Sequence, residues 1–145
     1  MDKQENAFVD VNPVIFIEKG EILLAKRVDN IVEGGKWHLP GGRVKYDETF
    51  EMTLKRVTLE KTNLLVELKH PILEENLVGI YDDPKRDPRE HIIGLALLCR
   101  IIGGTVKPKG KVKELRSVSE KGTEGLEIAF DHRKMVKDAF SINPN

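Results

Sequence analysis

Pro40-Gly41-Gly42 is the feature that most constrains this chain, because it predicts a tight turn directly before an amphipathic helix. Proline fixes the φ angle, and paired glycines adopt backbone conformations that other residues avoid. A backbone that carries no side chains can also approach a ligand or a metal ion closely. The segment therefore predicts a ligand-facing loop that leads into a helix.

The helix after this turn is predicted from the spacing of its apolar residues. Phe50, Leu54 and Val57 follow one another at intervals of four and three, so they form one stripe that faces a core. Asp47 or Thr49 can cap the helix start, because a short polar side chain accepts hydrogen bonds from free backbone N–H groups. One face of this helix is therefore expected to be buried.

A second face of the same helix carries charges. Arg56 and Glu60 stand four residues apart and share this face. Glu48, which precedes the helix, is expected to pair with Arg56 and to orient the helix. Asn63 occupies a position where a left-handed helix end favours Gly or Asn. The loop and the charged face therefore converge on one candidate site.

The rest of the chain predicts a mixed sheet flanked by helices, which is an α/β fold. Residues 11–27 contain two apolar arms that predict a hairpin with its turn at Lys19-Gly20. The segment 129–140 has the apolar spacing of a C-terminal helix. Four further segments predict strands, namely residues 64–70, 76–82, 91–102 and 112–119.

Length and composition limit the class of protein. The 145 residues predict one domain, 1–145, because no composition shift or Ser-rich linker divides them. Lysine plus arginine equals aspartate plus glutamate at 24 each, so the net charge predicts neither a nucleic-acid nor a membrane partner. The absence of an apolar signal region and of a bilayer-length apolar run predicts a cytoplasmic protein. The single cysteine, Cys99, lies in an apolar run and predicts a buried, inert thiol.

The loop and the helix together resemble the Nudix box. That pattern consists of Gly, five residues, Glu, seven residues, Arg-Glu, an apolar residue, any residue, Glu-Glu, any residue, Gly and an apolar residue. The resemblance implies a Nudix-type α/β/α sandwich, in which a mixed β-sheet lies between helices. The residues in register with the box are Gly42, Glu48, Arg56, Glu60 and Leu64.

Two of the three carboxylates that the box is expected to supply to metal are missing. By resemblance to the family, the ligands that remain for Mg²⁺ (or Mn²⁺) are the Gly41 carbonyl and the Glu60 carboxylate. The metal site is therefore degenerate. The departures from the box are Val57 for Glu, Thr58 for an apolar residue, Lys61 for Glu and Asn63 for Gly.

The sequence as a whole resembles two Nudix subfamilies. The motifs YDDPKRDPREH and LEIAFDHRKMVKDAF are similar to segments of Nudix enzymes that cleave ADP-ribose. The box itself is most similar to that of GDP-mannose mannosyl hydrolases. The resemblance thus implies a Mg²⁺-dependent hydrolase of a nucleoside diphosphate sugar, which is either ADP-ribose-like or GDP-mannose-like.

The resemblance also implies roles for the candidate site residues. Arg43 matches a contact to the leaving diphosphate, and Arg27 belongs to a basic pair that precedes the loop. Arg27 either meets ligand charge or forms a surface salt bridge. The candidate catalytic residues are Arg43, Glu48, Arg56 and Glu60. The candidate substrate-binding residues are Arg27, Arg43, Lys61, Arg86 and Arg89, and the candidate metal ligands are Gly41 and Glu60.

Lys61 and the loop DDPKRDPRE each admit two interpretations. The Lys61 ammonium enters the metal space and meets a diphosphate directly, or it extends into solvent near the helix end and favours the helix dipole. Arg86, Asp87 and Arg89 contact phosphate or ribose, or the loop serves as a rigid connection between strands.

Two reactions are compatible with the degenerate box. Attack of water at phosphorus needs the most positive charge, so the missing carboxylates weaken it. Attack at the sugar carbon expels the intact nucleoside diphosphate, so one metal ion and several arginines suffice. The relatives that use this route have a loop histidine as general base, whereas the matching segment PKGKVKELRSV contains none. His91 is the best substitute among the histidines, or it has a structural role at the start of its strand.

A non-catalytic ligand-binding module is the alternative to an enzyme. In that interpretation Arg27, Arg43 and the glycine loop still bind a nucleotide sugar, but hydrolysis is lost with the carboxylates. The retained pair of Arg56 and Glu60 favours the enzyme. A small-molecule nucleoside diphosphate is the expected partner in both cases, and the resemblance suggests a homodimer.

Overall fold

The computed structural model describes residues 5–17 and 20–142. These residues form two β-sheets and two α-helices, together with short 3₁₀ helices at Leu73–Asn76 and Lys121–Gly125. In chain order the elements are β1 (Phe8–Ile15), β2 (Glu21–Arg27), β3 (Trp37–His38), β4 (Gly42–Arg43), α1 (Phe50–Thr62), β5 (Leu64–Leu68), β6 (Leu77–Tyr81), β7 (Ile92–Gly104), β8 (Val112–Ser119) and α2 (His132–Ile142).

The larger sheet is mixed. Strand β7 lies at its centre, where it pairs in parallel with β1 and antiparallel with β5 and β6. Strand β4 pairs antiparallel with the other edge of β1. The smaller sheet is antiparallel and has the order β3-β2-β8. The mixed sheet confirms the predicted α/β class.

The alternation of side chains along β1 divides the core between the two faces of the larger sheet. Val11 and Ile15 pack in the cluster that contains Leu54 of α1, whereas Val14 packs in the cluster that contains Met135 of α2. Strand β7 alternates in the same way, because Leu97 and Cys99 join the first cluster while Ala96 and Leu98 join the second. The helices therefore cover opposite faces of the sheet, as the sandwich prediction requires.

Helix α1 begins and ends as the sequence predicts. The Thr49 hydroxyl accepts a hydrogen bond from the Met52 N–H at 3.1 Å, and so it caps the first turn. Asn63 ends the helix in the left-handed conformation, with a φ of 63°. Leu54 and Val57 are buried. The apolar stripe and both helix ends are thus confirmed.

The predicted hairpin forms only next to its predicted turn. An isolated antiparallel bridge joins Phe16 to Ile22, and beyond it β1 and β2 enter different sheets. The two strands diverge because β1 pairs with β7 and β4, while β2 pairs with β3 and β8. Lys19 of the predicted turn lies outside the described residues, whereas Gly20 has a φ of 72°.

The other predicted elements agree with the structure to within a few residues. The C-terminal helix is the clearest difference, since it begins at His132 rather than at residue 129. Phe130 has a φ of 54°, a left-handed conformation that an α-helix does not accommodate. Cys99 is buried as predicted, and burial raises the pKa of its thiol. No helix in the described part of the chain is both long and apolar enough to cross a membrane.

Candidate functional site

The glycine loop, residues 39–42, is anchored to strand β1. Gly42 pairs with Val11 in the antiparallel ladder of β4 and β1. A Cβ atom at Gly41 would lie 2.5 Å from Oδ1 of Asn12 and still closer to the Val11 carbonyl oxygen. Only glycine fits so near another backbone, whereas the close approach of the loop to a ligand or a metal ion stays a prediction.

A cleft of about 890 Å³ opens beside this loop. The volume lies within the range of small-molecule binding sites. Cations outnumber acids along its walls, although the whole chain has no net charge, so the cleft suits an anionic ligand. Its basic residues are Arg27, Arg43, Lys61, Arg86, Arg89 and Lys111, and its acidic residues are Asp10, Glu60 and Asp87.

Arg56 joins helix α1 to the loop. Its Nε lies 2.7 Å from Glu48 Oε2, and its Nη2 donates to the Arg43 carbonyl oxygen at 2.7 Å. The third contact runs from Nη1 to Glu60 Oε2 at 3.2 Å. Hydrogen bonds from Arg56 lower the pKa of the Glu48 carboxyl to about 2. Glu48 is therefore held as an anion against Arg56, in the arrangement that the sequence predicts.

The Arg43 guanidinium lies near the rim of the cleft. It donates to Glu90 Oε2 at 2.6 Å and lies 4.0 Å from the ring centroid of Phe8. Glu90 thus partly neutralises the cation that the resemblance assigns to a diphosphate.

Lys61 extends from the last turn of α1 into the cleft. Its Nζ donates a hydrogen bond to the Gly41 carbonyl oxygen. Burial, and next the positive charge of Arg27, lower the pKa of this ammonium to about 8, while the negative charge of Asp10 opposes the shift. Of the two interpretations of Lys61, the structure favours the one that places it within the site.

Arg27 and Arg89 share one aromatic ring deep in the cleft. Their guanidinium carbons lie 5.0 and 4.7 Å from the centroid of Phe130. Arg27 also donates from Nε to the Val32 carbonyl oxygen at 2.8 Å, while Arg89 pairs with Asp87 at 2.7 Å. Arg27 is buried and forms no surface salt bridge among the described residues. Two cations are therefore fixed beside each other and face the same space.

Arg86 is more firmly tied to the protein than its neighbours. Its Nε and Nη2 atoms bind the Asp131 carboxylate at 2.7 and 2.6 Å, and its Nη1 donates to the Ile92 carbonyl oxygen at 2.9 Å. The side chain is only 4% exposed. These contacts connect the Asp-Pro loop to the start of α2, so they support a structural role at the back of the cleft.

Asp10 is a cleft residue that sequence reasoning missed. It lies opposite Arg43 in the pairing of β1 with β4, and its Oδ1 is buried without a hydrogen-bond partner. Burial raises the pKa of this carboxyl, although Arg43, Arg89 and Lys61 all favour its anionic form. The only signal in the sequence is one acid within the mostly apolar segment FVDVNPVIF.

Two buried histidines line the cleft, and His91 does not. The Nδ1 of His132 accepts a hydrogen bond from the Leu39 N–H at 3.0 Å, and His38 Nδ1 lies 2.5 Å from the Leu39 carbonyl oxygen. Burial lowers the pKa of His132 to about 3 and that of His38 well below its usual value. His91 is exposed and stands outside the cleft lining, so the structure does not support it as the substitute base.

The acids near the loop do not form a cluster. Within residues 5–17 and 20–142, no three His, Cys, Asp or Glu side chains come together as a metal site. Glu90 pairs with Arg43, and Glu51 pairs with Lys55 at 3.2 Å on another part of the surface. Glu60 is the helix carboxylate that lines the cleft beside the loop, with Arg56 as its partner.

Known proteins share sequence or fold with this chain. The ADP-ribose pyrophosphatase of Methanocaldococcus jannaschii is 38% identical over 123 residues, which are 84% of this chain and 68% of that protein. The crystal structure of an ADP-ribose pyrophosphatase from Streptococcus suis superimposes with a TM-score of 0.71 at 22% identity, covering 95% of this chain and 94% of that one. The NUDIX domain of Shewanella oneidensis NrtR, complexed with ADP ribose, gives a TM-score of 0.74 at 22% identity, covering 97% and 89%.

The structural neighbours establish the fold, and the sequence comparison establishes the family. The model of the NUDIX domain matches residues 8–139, which include the glycine loop, helix α1 and most of α2. The chain therefore belongs to the Nudix hydrolase superfamily.

Proposed function

We propose that this Nudix hydrolase acts on a nucleoside diphosphate sugar of the ADP-ribose class. The observation that carries the proposal is the convergence of Arg27, Lys61 and Arg89 in one cleft beside the glycine loop. Three fixed cations favour a ligand with the negative charge of a diphosphate over a neutral metabolite. The name of the M. jannaschii relative favours ADP-ribose over GDP-mannose as the first substrate to test.

The cleft residues divide into those that face ligand and those that position them. Arg27, Lys61 and Arg89 are proposed to bind the diphosphate, and Arg43 is proposed to contact it from the rim once ligand competes with Glu90. Arg56 supports this site indirectly, because it holds the Arg43 backbone to helix α1.

Glu48 and Glu60 are proposed to act through Arg56 rather than on the substrate. Both carboxylates lie against its guanidinium, so they fix its orientation. Fixed, preorganised charges stabilise negative charge that develops during hydrolysis.

A divalent ion, when bound, would neutralise phosphoryl charge and activate water. The family resemblance predicts Mg²⁺ or Mn²⁺ at the Gly41 carbonyl and Glu60, and this ligand set stays a prediction. The described residues do not fit it, because the Gly41 carbonyl accepts a hydrogen bond from the Lys61 ammonium and Glu60 faces Arg56.

Binding without turnover is the second candidate function. It is favoured by the same contact between Lys61 and Gly41, since a cation of the protein lies at the carbonyl expected to bind metal. The Arg56 pairs with Glu48 and Glu60 favour the enzyme, because they keep the box residues in one rigid unit.

Product analysis distinguishes these possibilities. Purified protein is incubated with ADP-ribose or GDP-mannose, with and without Mg²⁺ or Mn²⁺, and the products are separated by chromatography. Sugar phosphate indicates attack at phosphorus, whereas free sugar with nucleoside diphosphate indicates attack at carbon. Tight binding with no product under any condition supports the binding module. If the protein neither binds these compounds nor forms any product from them, the proposed function is wrong. The cytoplasmic location and the homodimer also stay predictions, and light scattering tests the latter.

A further inference from the structure

The Lys61 side chain lies between helix α1 and the glycine loop. A Cβ atom built at Gly42 would stand 2.8 Å from Cγ1 of Val57 and 3.9 Å from Nζ of Lys61. Both side chains come from one face of α1, and both replace carboxylates of the Nudix box. The side of the loop that faces α1 therefore contacts an apolar side chain, Val57, and a cation, Lys61.

The Lys61 ammonium is held by one hydrogen bond, and its other donors make none within the described residues. An ammonium has three N–H donors, and the Gly41 carbonyl is its only hydrogen-bond partner in the described part of the chain. No carboxylate forms an ion pair with it among the same residues. Two donors are consequently left for a ligand, and one bond fixes where they point.

The cleft around Lys61 carries excess positive charge, since its basic residues outnumber its acidic ones. Arg27 from β2 and Arg89, which comes from the loop before β7 and pairs with Asp87, face Lys61 as cations, while Asp10 from β1 and Glu60 from α1 face it as anions. Each of these anions has other basic neighbours, namely Arg43 and Arg89 for Asp10 and Arg56 for Glu60. The neutral rings of His38 and His132 complete the surroundings. An anionic ligand would relieve the repulsion among the three cations.

We infer that Lys61 is a tethered cation that takes the place of a divalent metal ion, so that the cleft binds a nucleoside diphosphate without metal. This inference rests on the proposed function, and it makes a narrower claim about binding alone. A lysine ammonium is a well-suited phosphate ligand as a point charge. The diphosphate then contacts Lys61 at the glycine loop and Arg27 with Arg89 beside Phe130.

Calorimetric titration with ADP-ribose tests the inference on the intact protein. The affinity of the unmodified protein should be the same in EDTA and in Mg²⁺ to within about twofold. In EDTA, Lys61→Met should weaken binding roughly tenfold to hundredfold, the usual effect of a lost charge-assisted hydrogen bond. Lys55→Met is the matched control, because Lys55 lies on the same helix and pairs with Glu51 at the surface. It should change the affinity by less than about twofold.

A charge reversal supplies a second readout that needs no substrate. Lys61→Glu returns a carboxylate to the site, so the variant should bind Mn²⁺ at least about tenfold more tightly than the unmodified protein, as measured by electron paramagnetic resonance. Lys55→Glu makes the same charge change away from the cleft and should gain no Mn²⁺ binding. Thermal unfolding checks that all four variants are folded.

The outcomes separate the inference from the proposed function. Loss of ADP-ribose binding in EDTA, restored by Mg²⁺, overturns the inference and leaves the proposed function standing. A Lys61→Glu variant that changes neither Mn²⁺ binding nor ADP-ribose binding also overturns it. Failure of ADP-ribose and GDP-mannose to bind with or without metal overturns both.

Discussion

Arg56 holds the Glu48 carboxylate at 2.7 Å and thereby ties helix α1 to the segment that precedes it. Arg56→Met should lower Tm by several degrees, because the carboxylate and the Arg43 carbonyl lose their shared donor. Arg100→Met is the matched control, since Arg100 pairs with Glu67 on an exposed surface and should shift Tm by only about 1 °C. Equal shifts in calorimetric scans of the two variants would show that the Arg56 cluster adds nothing beyond an ordinary surface pair.

Gly41 tolerates no side chain. Gly41→Ala should destabilise the protein by about 1–3 kcal/mol, since the new Cβ would overlap the Val11 carbonyl and the Asn12 side chain. Urea unfolding measures the loss. Gly125→Ala is the control, because a Cβ there meets no atom within 4 Å. A Gly41→Ala variant as stable as Gly125→Ala would refute the close contact between the loop and β1.

His132 should make the fold sensitive to acid. Its pKa is lowered to about 3 in the folded protein by burial, whereas an unfolded histidine titrates near 6.5. Above about pH 6.5 the ring is neutral in both states, so the stabilisation is complete. As pH falls below this value, only the unfolded state binds the proton, and stability should decline by about 1.4 kcal/mol per pH unit for this residue.

Denaturant unfolding between pH 7 and pH 4 measures this slope. Asparagine can accept the Leu39 N–H bond but does not titrate, so His132→Asn should give a shallower slope. Parallel profiles for the two proteins would assign the acid sensitivity to other groups, such as His38.

Asp10 should oppose the binding of anions. Burial raises the pKa of this carboxyl in the folded protein. The fold therefore loses stability as pH rises through that pKa, and at neutral pH the ionised carboxylate is destabilising. Asp10→Asn should therefore stabilise the fold and tighten ADP-ribose binding by roughly threefold to tenfold, because one negative charge leaves the cleft. Asp82→Asn, at an exposed position outside the cleft lining, is the control for net charge. Weaker binding by the Asp10 variant would instead indicate that Asp10 orders the surrounding cations.

The sequence predicts those parts of the site that depend on spacing within one helix. Arg56, Glu60 and Lys61 follow from helical periodicity and from the register of the box, and Thr49 and Asn63 follow from local backbone chemistry. Their neighbours in sequence are also their neighbours in space.

The missed residues depend on contacts between distant segments. Asp10 enters the site only because β4 pairs with β1, and His132 only because α2 reaches the Leu39 backbone. Phe130 joins Arg27 and Arg89 through a left-handed turn that helical periodicity does not reveal. The failed hairpin has the same origin, since pairing with remote strands outweighs the local pairing of β1 with β2.

The parallel pairing of β1 with β7 has a consequence for how the molecule assembles. Phe8 lies opposite Ile92, so strand β1 leaves the ribosome well before its central partner β7 has been made. Closing so long a loop costs entropy before any contact compensates for it, which slows folding. Arg89 and His132 also line the ligand cleft and come from later parts of the chain, so the cleft should be among the last parts to form. A nascent chain released early would carry helix α1 but no place for a ligand.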